Sequence, residues 1–369
     1  MNAAMLPLAV TMGEPAGIGG EITLKAWLSR APPVGQPPGQ ARWLKAYPRA
    51  PIDPFGRAGT PKGALPSFYL IDDPDRLAAL ARNLGWPVPV RPIAAPEEAI
   101  GIFAEALPVQ PIGMPVHARP AYPDPADAPA ILGAIDSAVA AVRQGRAAAV
   151  VTNPIHKENL YRAGFRHPGH TEYLAELAGT GAVPIMMLAS PALRVVPVTI
   201  HLPLRRAAES LSSAAIVQAG RVTQAGLRKD FGIAAPRLAV AGLNPHAGEG
   251  GGLGREDIEI IAPAIAELCA LGIDARGPLS ADTMFHAEAR RGYDAALCMY
   301  HDQALIPLKT IDFWGGVNVT LGLPFVRTSP DHGTALAIAG RGVARAESLI
   351  AALRLAAAMA ARRRAAMPA

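Results

Sequence analysis

The chain has 369 residues, of which half are hydrophobic and 5% aromatic, with 36 glycines and 37 prolines. This length suits one large or two medium domains, and the composition favours an α/β protein with small-residue packing over an all-β or coiled-coil protein. The formal net charge is only +5, and the one dense basic cluster is Arg362, Arg363 and Arg364. This argues against a nucleic-acid surface, which needs a basic stripe with interleaved aromatic residues.

The sequence predicts a cytoplasmic protein that does not enter a membrane. Residues 1–10 lack a basic start, and their apolar run is too short for a signal peptide. No uninterrupted apolar run approaches ~20 residues, the length of a membrane span. The two cysteines, Cys269 in a predicted helix and Cys298 in a predicted strand, are expected to be buried free thiols in a reducing compartment.

A glycine-rich turn follows the first predicted strand. Residues 6–12 (LPLAVTM) predict that strand, and residues 13–20 (GEPAGIGG) predict a turn into a helix. Such a turn lets a ligand approach the backbone and presents helix N-terminal amides to an anion. Gly13, Glu14 and Gly17 are therefore candidate cofactor-binding residues. The spacing does not match the dinucleotide fingerprint G-x-G-x-x-G, and a strand-helix turn without a ligand is an equally weighted alternative.

The rest of the chain alternates predicted strands and helices, as expected for an α/β protein. Residues 32–66 are rich in Pro, Gly and Arg and lack a sustained period, which predicts a surface insertion. The predicted strands are residues 68–72, 88–93, 147–152, 194–200, 237–243 and 293–300. The predicted helices are residues 74–84, 131–144, 256–271 and 347–361.

The sequence Gly-His-Thr-Glu at residues 169–172 is a candidate ligand contact. It predicts a helix N-terminus, where His170 and Thr171 would offer hydrogen-bond donors to a ligand. The structural alternative is that Thr171 caps the helix and that His170 is simply exposed.

Three predicted strands lead to a histidine: His201, His246 and His301. If those strands lie side by side in a parallel sheet, their carboxyl ends bring the imidazoles to one rim. Three imidazoles suit zinc, with cobalt or manganese as alternatives, and an open fourth position would bind a substrate hydroxyl. The inference rests on element order, because the chain contains no local H-x-x-x-H spacing. For each histidine alone, a satisfied polar residue is the simpler interpretation.

Residues 299–327 place charged and amide side chains after the last of these strands. Lys309 supplies a point charge, Asn318 supplies donors and an acceptor, and Arg327 supplies a planar fork suited to phosphate or carboxylate. Together they predict a site for a small anionic substrate.

Further polar residues lie near these motifs. Asp282, Thr283 and Asp302 are candidates for fixing imidazole tautomers around a metal, with helix capping or a surface position as the alternative. His332, Gly333 and Thr334 precede a predicted Ala-rich helix. Gly allows close backbone approach there, and His or Thr can hydrogen-bond a purine edge or ribose, whereas a helix cap is the alternative.

Together, these motifs resemble one known family. In chain order they are GEPAGIG, VTNPIHK, GHTE, HLPLR, GLNPHAGEGG, GPLSADT, YHDQ and GVNVTLGLPFVRTSPDHGTA. They are similar to the 4-hydroxythreonine-4-phosphate dehydrogenase family of vitamin B6 biosynthesis and cover most of the chain from Leu8 onward. The insertion at residues 32–66 has no counterpart in that pattern, and residues 251–253 depart from it within the glycine run.

The resemblance implies a role for each matching residue. It makes His201, His246 and His301 ligands of one divalent metal, which would be zinc, cobalt or magnesium. The substrate-binding positions it implies are His170, Thr171, Lys309, Asn318 and Arg327. In the wider fold group, a turn like that of His332, Gly333 and Thr334 contacts the adenosine part of NAD or NADP.

The resemblance also implies an architecture. It predicts the α/β two-domain fold of isocitrate and isopropylmalate dehydrogenases, with mixed sheets and no Rossmann fold. The cofactor-side domain would comprise residues 1–158 and 310–369, and the metal and dimerisation domain would comprise residues 159–309. The family forms homodimers with the active site at the subunit interface, so one metal is expected to draw ligands from two chains.

The implied reaction is oxidation of the C3 hydroxyl of 4-phosphooxy-L-threonine by NAD(P)+, followed by loss of the carboxylate from the 3-oxo acid. Lys309, Asp282 and Asp302 are the candidates for the general base, and the sequence does not choose among them. The alternative within the fold is a dehydrogenase for phospho-threonate or a cis-dihydrodiol dicarboxylate. From other classes, the alternatives are a metal-dependent phosphohydrolase and a non-catalytic anion-binding protein.

Overall fold

The computed structural model describes residues 6–30, 65–167, 169–179, 181 and 183–366. Within them the chain alternates strands and helices, as predicted. The strands are β1 (Leu8–Thr11), β2 (Phe68–Asp72), β3 (Val90–Pro92), β4 (Leu107–Pro111), β5 (Val150–Thr152), β6 (Ile185–Ala189), β7 (Arg194–Pro197), β8 (Arg237–Ala241), β9 (Asp274–Leu279), β10 (Ala295–Cys298), β11 (Val317–Leu321) and β12 (Arg327–Pro330). The helices are α1 (Gly19–Leu28), α2 (Pro74–Asn83), α3 (Ala99–Ile102), α4 (Ala128–Arg143), α5 (Lys157–Arg162), α6 (His170–Ala178), α7 (Leu204–Ser210), α8 (Ser213–Lys229), α9 (Ala262–Ala270), α10 (His301–Ile311) and α11 (Glu347–Ala365).

The chain divides into two compact units. Unit 1 comprises Met1–Ala178 and Phe325–Ala360, and unit 2 comprises Gly179–Pro324 and Ala361–Ala369. These boundaries differ from the predicted ones for a packing reason. Helix α6 packs on α4 and so belongs with unit 1, whereas α10 packs on β6 and β7, and β11 pairs with β6, so residues up to Pro324 belong with unit 2. The functional roles assigned to the two domains stay predictions.

Unit 1 is built on a parallel sheet. Its strand order is β3-β4-β2-β1-β5-β12, and every neighbouring pair is parallel. Strands β1 and β2 are buried along their whole length, as expected for a parallel sheet covered on both faces. Helix α2 begins at a clear signal: the Asp73 carboxylate accepts from the backbone N–H groups of Asp75 and Arg76, and Pro74 occupies the first turn.

Unit 2 carries a mixed sheet. Its strand order is β11-β6-β7-β10-β8-β9, in which β11 and β7 run antiparallel to β6 and the remaining pairs are parallel. Leu188, Val195 and Ala296 from neighbouring strands meet in one buried core cluster with Leu308 of α10. The predicted α/β architecture with mixed sheets is thus confirmed. The parallel run β7-β10-β8 is the part that bears on function.

Helix α4 is a core helix. By length and composition alone, Pro125–Arg143 could cross a membrane. Its residues Ile131, Ala134 and Ala138 are buried, and the helix packs against β1, β2 and β5 of unit 1. Its apolar composition is therefore explained by packing within the protein.

Several local predictions need correction. Cys269 is exposed, because α9 directs Ile265 and Leu268 inwards and leaves Cys269 on the outer face; Cys298 is buried as expected. No Ala-rich helix directly follows Thr334 in the described chain: Ala335 has a left-handed φ of 46°, and only a short turn at Leu336–Ile338 follows. The predicted insertion at residues 32–66 lies almost wholly outside the described residues.

Candidate active site

Three neighbouring strand ends bring the predicted metal ligands to one edge of unit 2. Strand β10 pairs in parallel with β7 on one side and with β8 on the other. Each strand ends a few residues before its histidine, so the loops carrying His201, His246 and His301 leave the sheet at its carboxyl edge. Parallel α/β sheets bind ligands at that edge.

His201 and His301 face each other. Their ring centroids lie 5.7 Å apart. Two imidazoles that coordinate one zinc ion would have centroids about 5–6 Å apart, because each nitrogen lies about 2.0–2.1 Å from the metal. This pair therefore fits a shared divalent cation. His301 opens α10, and its Nδ1 lies 2.7 Å from Oδ1 of Asp302, a contact of the kind that orients a ligating imidazole.

His246 lies in a strained loop. From His246 to Gly250 every residue has positive φ, beginning with 52° at His246, and His201 has the same φ of 52°. Left-handed backbone at a non-glycine residue costs of order 1–3 kcal/mol and clusters at functional sites. His246 Nδ1 lies 3.2 Å from Oε1 of Glu249. Among the described residues, no group of three or more His, Cys, Asp or Glu side chains is arranged to hold a metal ion.

A buried carboxylate shapes the His246 loop. Asp257 is 1% exposed and accepts from the backbone N–H groups of Leu243 and Asn244 and from Asn244 Nδ2, at 2.9, 3.2 and 3.0 Å. It belongs to a π-helical turn, Asp257–Ile261, that precedes α9 where one continuous helix was predicted. Turns of this kind occur frequently at functional sites.

The strand ends are joined through one peptide unit. The backbone N–H of Met299 donates to Gln303 Oε1 (2.6 Å), and Gln303 Nε2 donates to the carbonyl of Gly242 just after β8 (2.7 Å). Thr199 Oγ1, just after β7, donates to the carbonyl of Met299 (2.8 Å). These buried bonds tie the ends of β7, β10 and β8 together, so the three histidine loops start from one rigid base.

The other predicted residues of unit 2 surround this edge. Asp282 Oδ1 accepts from the Ser280 hydroxyl at 2.6 Å, and this bond, with His246 nearby, lowers the pKa of Asp282. Lys309 Nζ lies 5.3 Å from the centroid of the Phe313 ring. Asn318 is half-buried in β11, opposite Leu188 of β6.

Unit 1 gathers the remaining substrate candidates around Arg327. Arg327 is 2% exposed, and its Nη2 donates to Thr152 Oγ1 at the end of β5 (2.6 Å). Burial lowers the pKa of Arg327 to about 10. His170 opens α6, with Thr171 next to it; burial lowers the pKa of His170 well below 6.5, and the positive charges of Arg327 and Lys157 lower it further.

The two turns predicted to bind the cofactor lie against each other within unit 1. The Ile18 N–H donates to the Thr334 carbonyl (3.0 Å), and a Cβ atom on Gly17 would lie 2.9 Å from that oxygen. Gly13 has a φ of 68°. Glu14 is completely buried; burial raises its pKa, and the Ala16 N–H, which donates to Oε1 at 3.1 Å, partly offsets this.

The second turn continues past Thr334 into a strained residue. His332 Nδ1 lies 3.0 Å from the carbonyl oxygen of Gly333, and Ala335 has a φ of 46°. Such left-handed backbone is another mark of functional sites. The two turns, which are far apart in the sequence, thus form one surface.

Sequence reasoning missed three polar residues at these sites: Lys157, Asp257 and Gln303. Lys157 and Gln303 were quoted within motifs, VTNPIHK and YHDQ, but were given no role. Asp257 falls inside a predicted helix, where nothing distinguishes it from a surface acid. Only its burial under the His246 loop shows what it does.

The comparisons with known proteins agree with the motif pattern. The family model described as "Pyridoxal phosphate biosynthetic protein PdxA" matches residues 65–356. A curated 4-hydroxythreonine-4-phosphate dehydrogenase of Bradyrhizobium diazoefficiens is 54% identical, with 98% of this chain and 99% of the relative covered. The crystal structure of a 4-hydroxythreonine-4-phosphate dehydrogenase from Klebsiella pneumoniae superposes with a TM-score of 0.77 at 36% identity, covering 96% of this chain and 99% of that one.

A more distant structure has a different printed activity. A terephthalate 1,2-cis-dihydrodiol dehydrogenase from Burkholderia xenovorans superposes with a TM-score of 0.58 at 25% identity, covering 96% of this chain and 98% of that one. The higher identity and fuller agreement with the first group confirm the resemblance drawn from the motifs. The chain therefore belongs to the 4-hydroxythreonine-4-phosphate dehydrogenase family and is an oxidoreductase of pyridoxine biosynthesis.

Proposed function

We propose that the chain oxidises the C3 hydroxyl of 4-phosphooxy-L-threonine with NAD+ or NADP+ in the presence of a divalent cation. The alcohol carbon gives up a hydride and the hydroxyl gives up a proton, which yields 2-amino-3-oxo-4-phosphooxybutanoate. This β-keto acid loses its carboxylate as carbon dioxide to give 3-amino-2-oxopropyl phosphate. The observation that carries the proposal is the facing pair His201 and His301, 5.7 Å apart at the carboxyl edge of unit 2.

His201, His246 and His301 would hold the cation, whether zinc, cobalt or magnesium. When bound, such an ion acts as a Lewis acid that favours the alkoxide form of the alcohol. His201 and His301 are held next to each other by the joined ends of β7 and β10. The Asp302 carboxylate lies against His301 Nδ1 and would keep the opposite ring nitrogen available as a ligand.

The remaining residues would bind the substrate and move the proton. The buried guanidinium of Arg327 and the donors of His170 and Thr171 suit the phosphate, while Lys309 and Asn318 suit the amino acid end or the same anion. Lys309, Asp282 and Asp302 are the candidates for the general base. The contact of Asp302 with His301 favours an orienting role for that carboxylate.

The nicotinamide cofactor would lie against the two adjoining turns of unit 1. Gly13 and Gly17 leave the backbone open beside Thr334, where phosphate oxygens can approach helix α1. Glu14 is buried beneath the turn, so it would position the loop rather than contact the cofactor. His332 and Gly333 would face the adenosine part.

The enzyme would work as a cytoplasmic homodimer. The left-handed loop would present His246 to a cation shared with the partner chain, as the family resemblance implies. Ile306, Phe313 and Trp314 are exposed large apolar residues of unit 2, and exposed apolar surface of this kind often marks a protein interface.

A turnover assay tests the proposal. Purified protein with 4-phosphooxy-L-threonine should reduce NAD+ or NADP+, and a chelator should abolish the reaction until zinc, cobalt or magnesium is restored. The variants H201A and H301A should lose at least about a hundredfold in turnover, as expected when a ligand of a catalytic metal is removed. His286→Ala removes an exposed histidine of the same unit and should retain the rate.

The second candidate is oxidation of a cis-dihydrodiol dicarboxylate, as in the Burkholderia xenovorans relative, or of phospho-threonate. Nicotinamide reduction seen only with one of these diols would transfer the assignment to it. Release of inorganic phosphate without nicotinamide reduction would point to a phosphohydrolase instead.

A further inference from the structure

Lys157 lies against the N-terminus of helix α6. It follows the motif after β5 and opens α5. A Cβ atom on Gly169 would lie 3.2 Å from Lys157 Nζ, so a larger residue at position 169 would crowd the ammonium group. The missing side chain of Gly169 thus leaves room for a positive charge beside the first residue of α6, where the backbone N–H groups carry the positive end of the helix dipole.

Two further donors stand near this ammonium group. Lys157 and Arg327 both lower the pKa of His170 by their charge, so both lie close to its ring. The Nε2 atom of His170 is buried and makes no hydrogen bond with any described residue. Because the buried ring is neutral near pH 7, one nitrogen carries a proton that can be donated to a ligand.

The nearest acid does not neutralise Lys157. Glu172 Oε2 would lie 3.3 Å from the same Cβ position on Gly169, but no ion pair within 4 Å joins Lys157 to a carboxylate of a described residue. Arg327 is buried, and a buried cation is costly unless an anion pairs with it. Two cations and a buried imidazole around one helix N-terminus therefore leave the place of an anion open.

We infer that Lys157 is a substrate-binding residue that holds the phosphate group of the substrate together with His170 and Arg327. The inference rests on the proposed function, which assigns His170 and Arg327 to the substrate. Arg327 supplies a planar fork, Lys157 a mobile point charge and His170 a neutral donor. Two full positive charges match the two charges of a phosphate monoester better than the single charge of a carboxylate, so Lys157 would set the preference for phosphorylated substrates.

Binding measurements on three variants test the inference. K157M removes the charge and keeps the chain length, K157R keeps the charge, and K229M removes the exposed Lys229 at the end of α8. Affinities for 4-phosphooxy-L-threonine, 4-hydroxy-L-threonine and inorganic phosphate are measured by calorimetry on the full-length protein without nicotinamide.

K157M should weaken binding of the phosphorylated ligand and of inorganic phosphate by about 10- to 100-fold, the loss of one charge-assisted hydrogen bond. It should leave the affinity for 4-hydroxy-L-threonine within about twofold. K157R should restore most of the lost affinity, and K229M should match the wild type. An unchanged thermal midpoint in K157M would show that the site and not the fold was altered.

The outcomes separate this inference from the proposed function. A wild type that turns over 4-phosphooxy-L-threonine while K157M binds all three ligands like the wild type overturns the role of Lys157 and leaves the reaction intact. A wild type that binds phosphate through Lys157 but reduces no nicotinamide supports the anion site and overturns the proposed reaction. Equal weakening of the phosphorylated and the unphosphorylated ligand also overturns the inference, because Lys157 would then not distinguish the phosphate.

Discussion

At the scale of single residues, the candidate site is marked by backbone strain. His201, His246 and Ala335 hold left-handed φ angles, which side chains with a Cβ adopt only when the surroundings compensate. The structure shows the compensation for His246: Asp257 binds the backbone just before it. Strain at two of the three predicted metal ligands supports a role beyond packing.

His170 should make the protein sensitive to acid. Its folded-state pKa lies well below the ordinary value of 6.5, so below that value the unfolded chain binds a proton that the folded chain does not. Stability therefore falls as pH drops below the unfolded-state value, by at most about 1.4 kcal/mol per pH unit, and is independent of this group at higher pH.

The variant H170Q should lose that part of the acid sensitivity. Unfolding free energies from urea titrations at about pH 7.5 and about pH 5.5 should differ less for H170Q than for the wild type. His286→Gln, which changes an exposed histidine, should keep the full difference. If H170Q and the wild type lose the same stability in acid, His170 is not held neutral in the folded protein.

At the scale of elements, the active-site edge depends on polar side chains that fasten loops to strands. Gln303 joins the ends of β10 and β8, and Thr199 joins those of β7 and β10. Asp257 does the same for the loop after β8. Each is buried, so removing one leaves unpaired donors or acceptors that water cannot readily satisfy.

Asp257→Ala should destabilise the protein by about 2–4 kcal/mol, because three hydrogen bonds to a buried carboxylate are lost and their donors are stranded. Urea unfolding should show this as a lower midpoint. Asp274→Ala should cost less than about 1 kcal/mol, because Asp274 lies in an exposed ion pair with Arg276. A loss for Asp257→Ala as small as that for Asp274→Ala would show that the loop stands without the carboxylate.

At the scale of the whole molecule, each unit is assembled from two separate stretches of chain. The last residues of α11 belong to unit 2, where the Arg363 guanidinium pairs with both oxygens of Asp230 at 2.5 and 2.9 Å. The Asp230 side chain is 2% exposed and that of Arg363 is 13% exposed. This ion pair anchors the C-terminal end of the helix to the end of α8.

Removing one partner of this pair should be costly. Arg363→Ala should lower the unfolding free energy by about 3–5 kcal/mol, because it strands the buried charge of Asp230. Arg364→Ala, next to it but exposed, should change stability by less than about 0.5 kcal/mol. Equal effects of the two substitutions would show that the pair does not hold the helix end.

Part of the fold and of the site followed directly from local patterns. The fully buried strands β2 and β10 and the capped helix α2 lie within a few residues of their predicted bounds, because continuous apolar runs and the Asp73-Pro74 start are local signals. The exposed position of Cys269 and the turn after Thr334 were not predicted. Both depend on which face of a short apolar segment packs inward, and composition does not encode that.

The sequence by itself determined the family, the order of the elements and the identity of the side chains available for chemistry, because motifs and apolar periodicity are properties of neighbouring residues. Only the tertiary structure decided that β10 lies between β7 and β8, so that His201 and His301 come face to face. It likewise decided that Lys157 lies beside His170, and that Asp257 supports the loop of His246. These are contacts between residues far apart along the chain, and packing of the folded sheet and helices sets them.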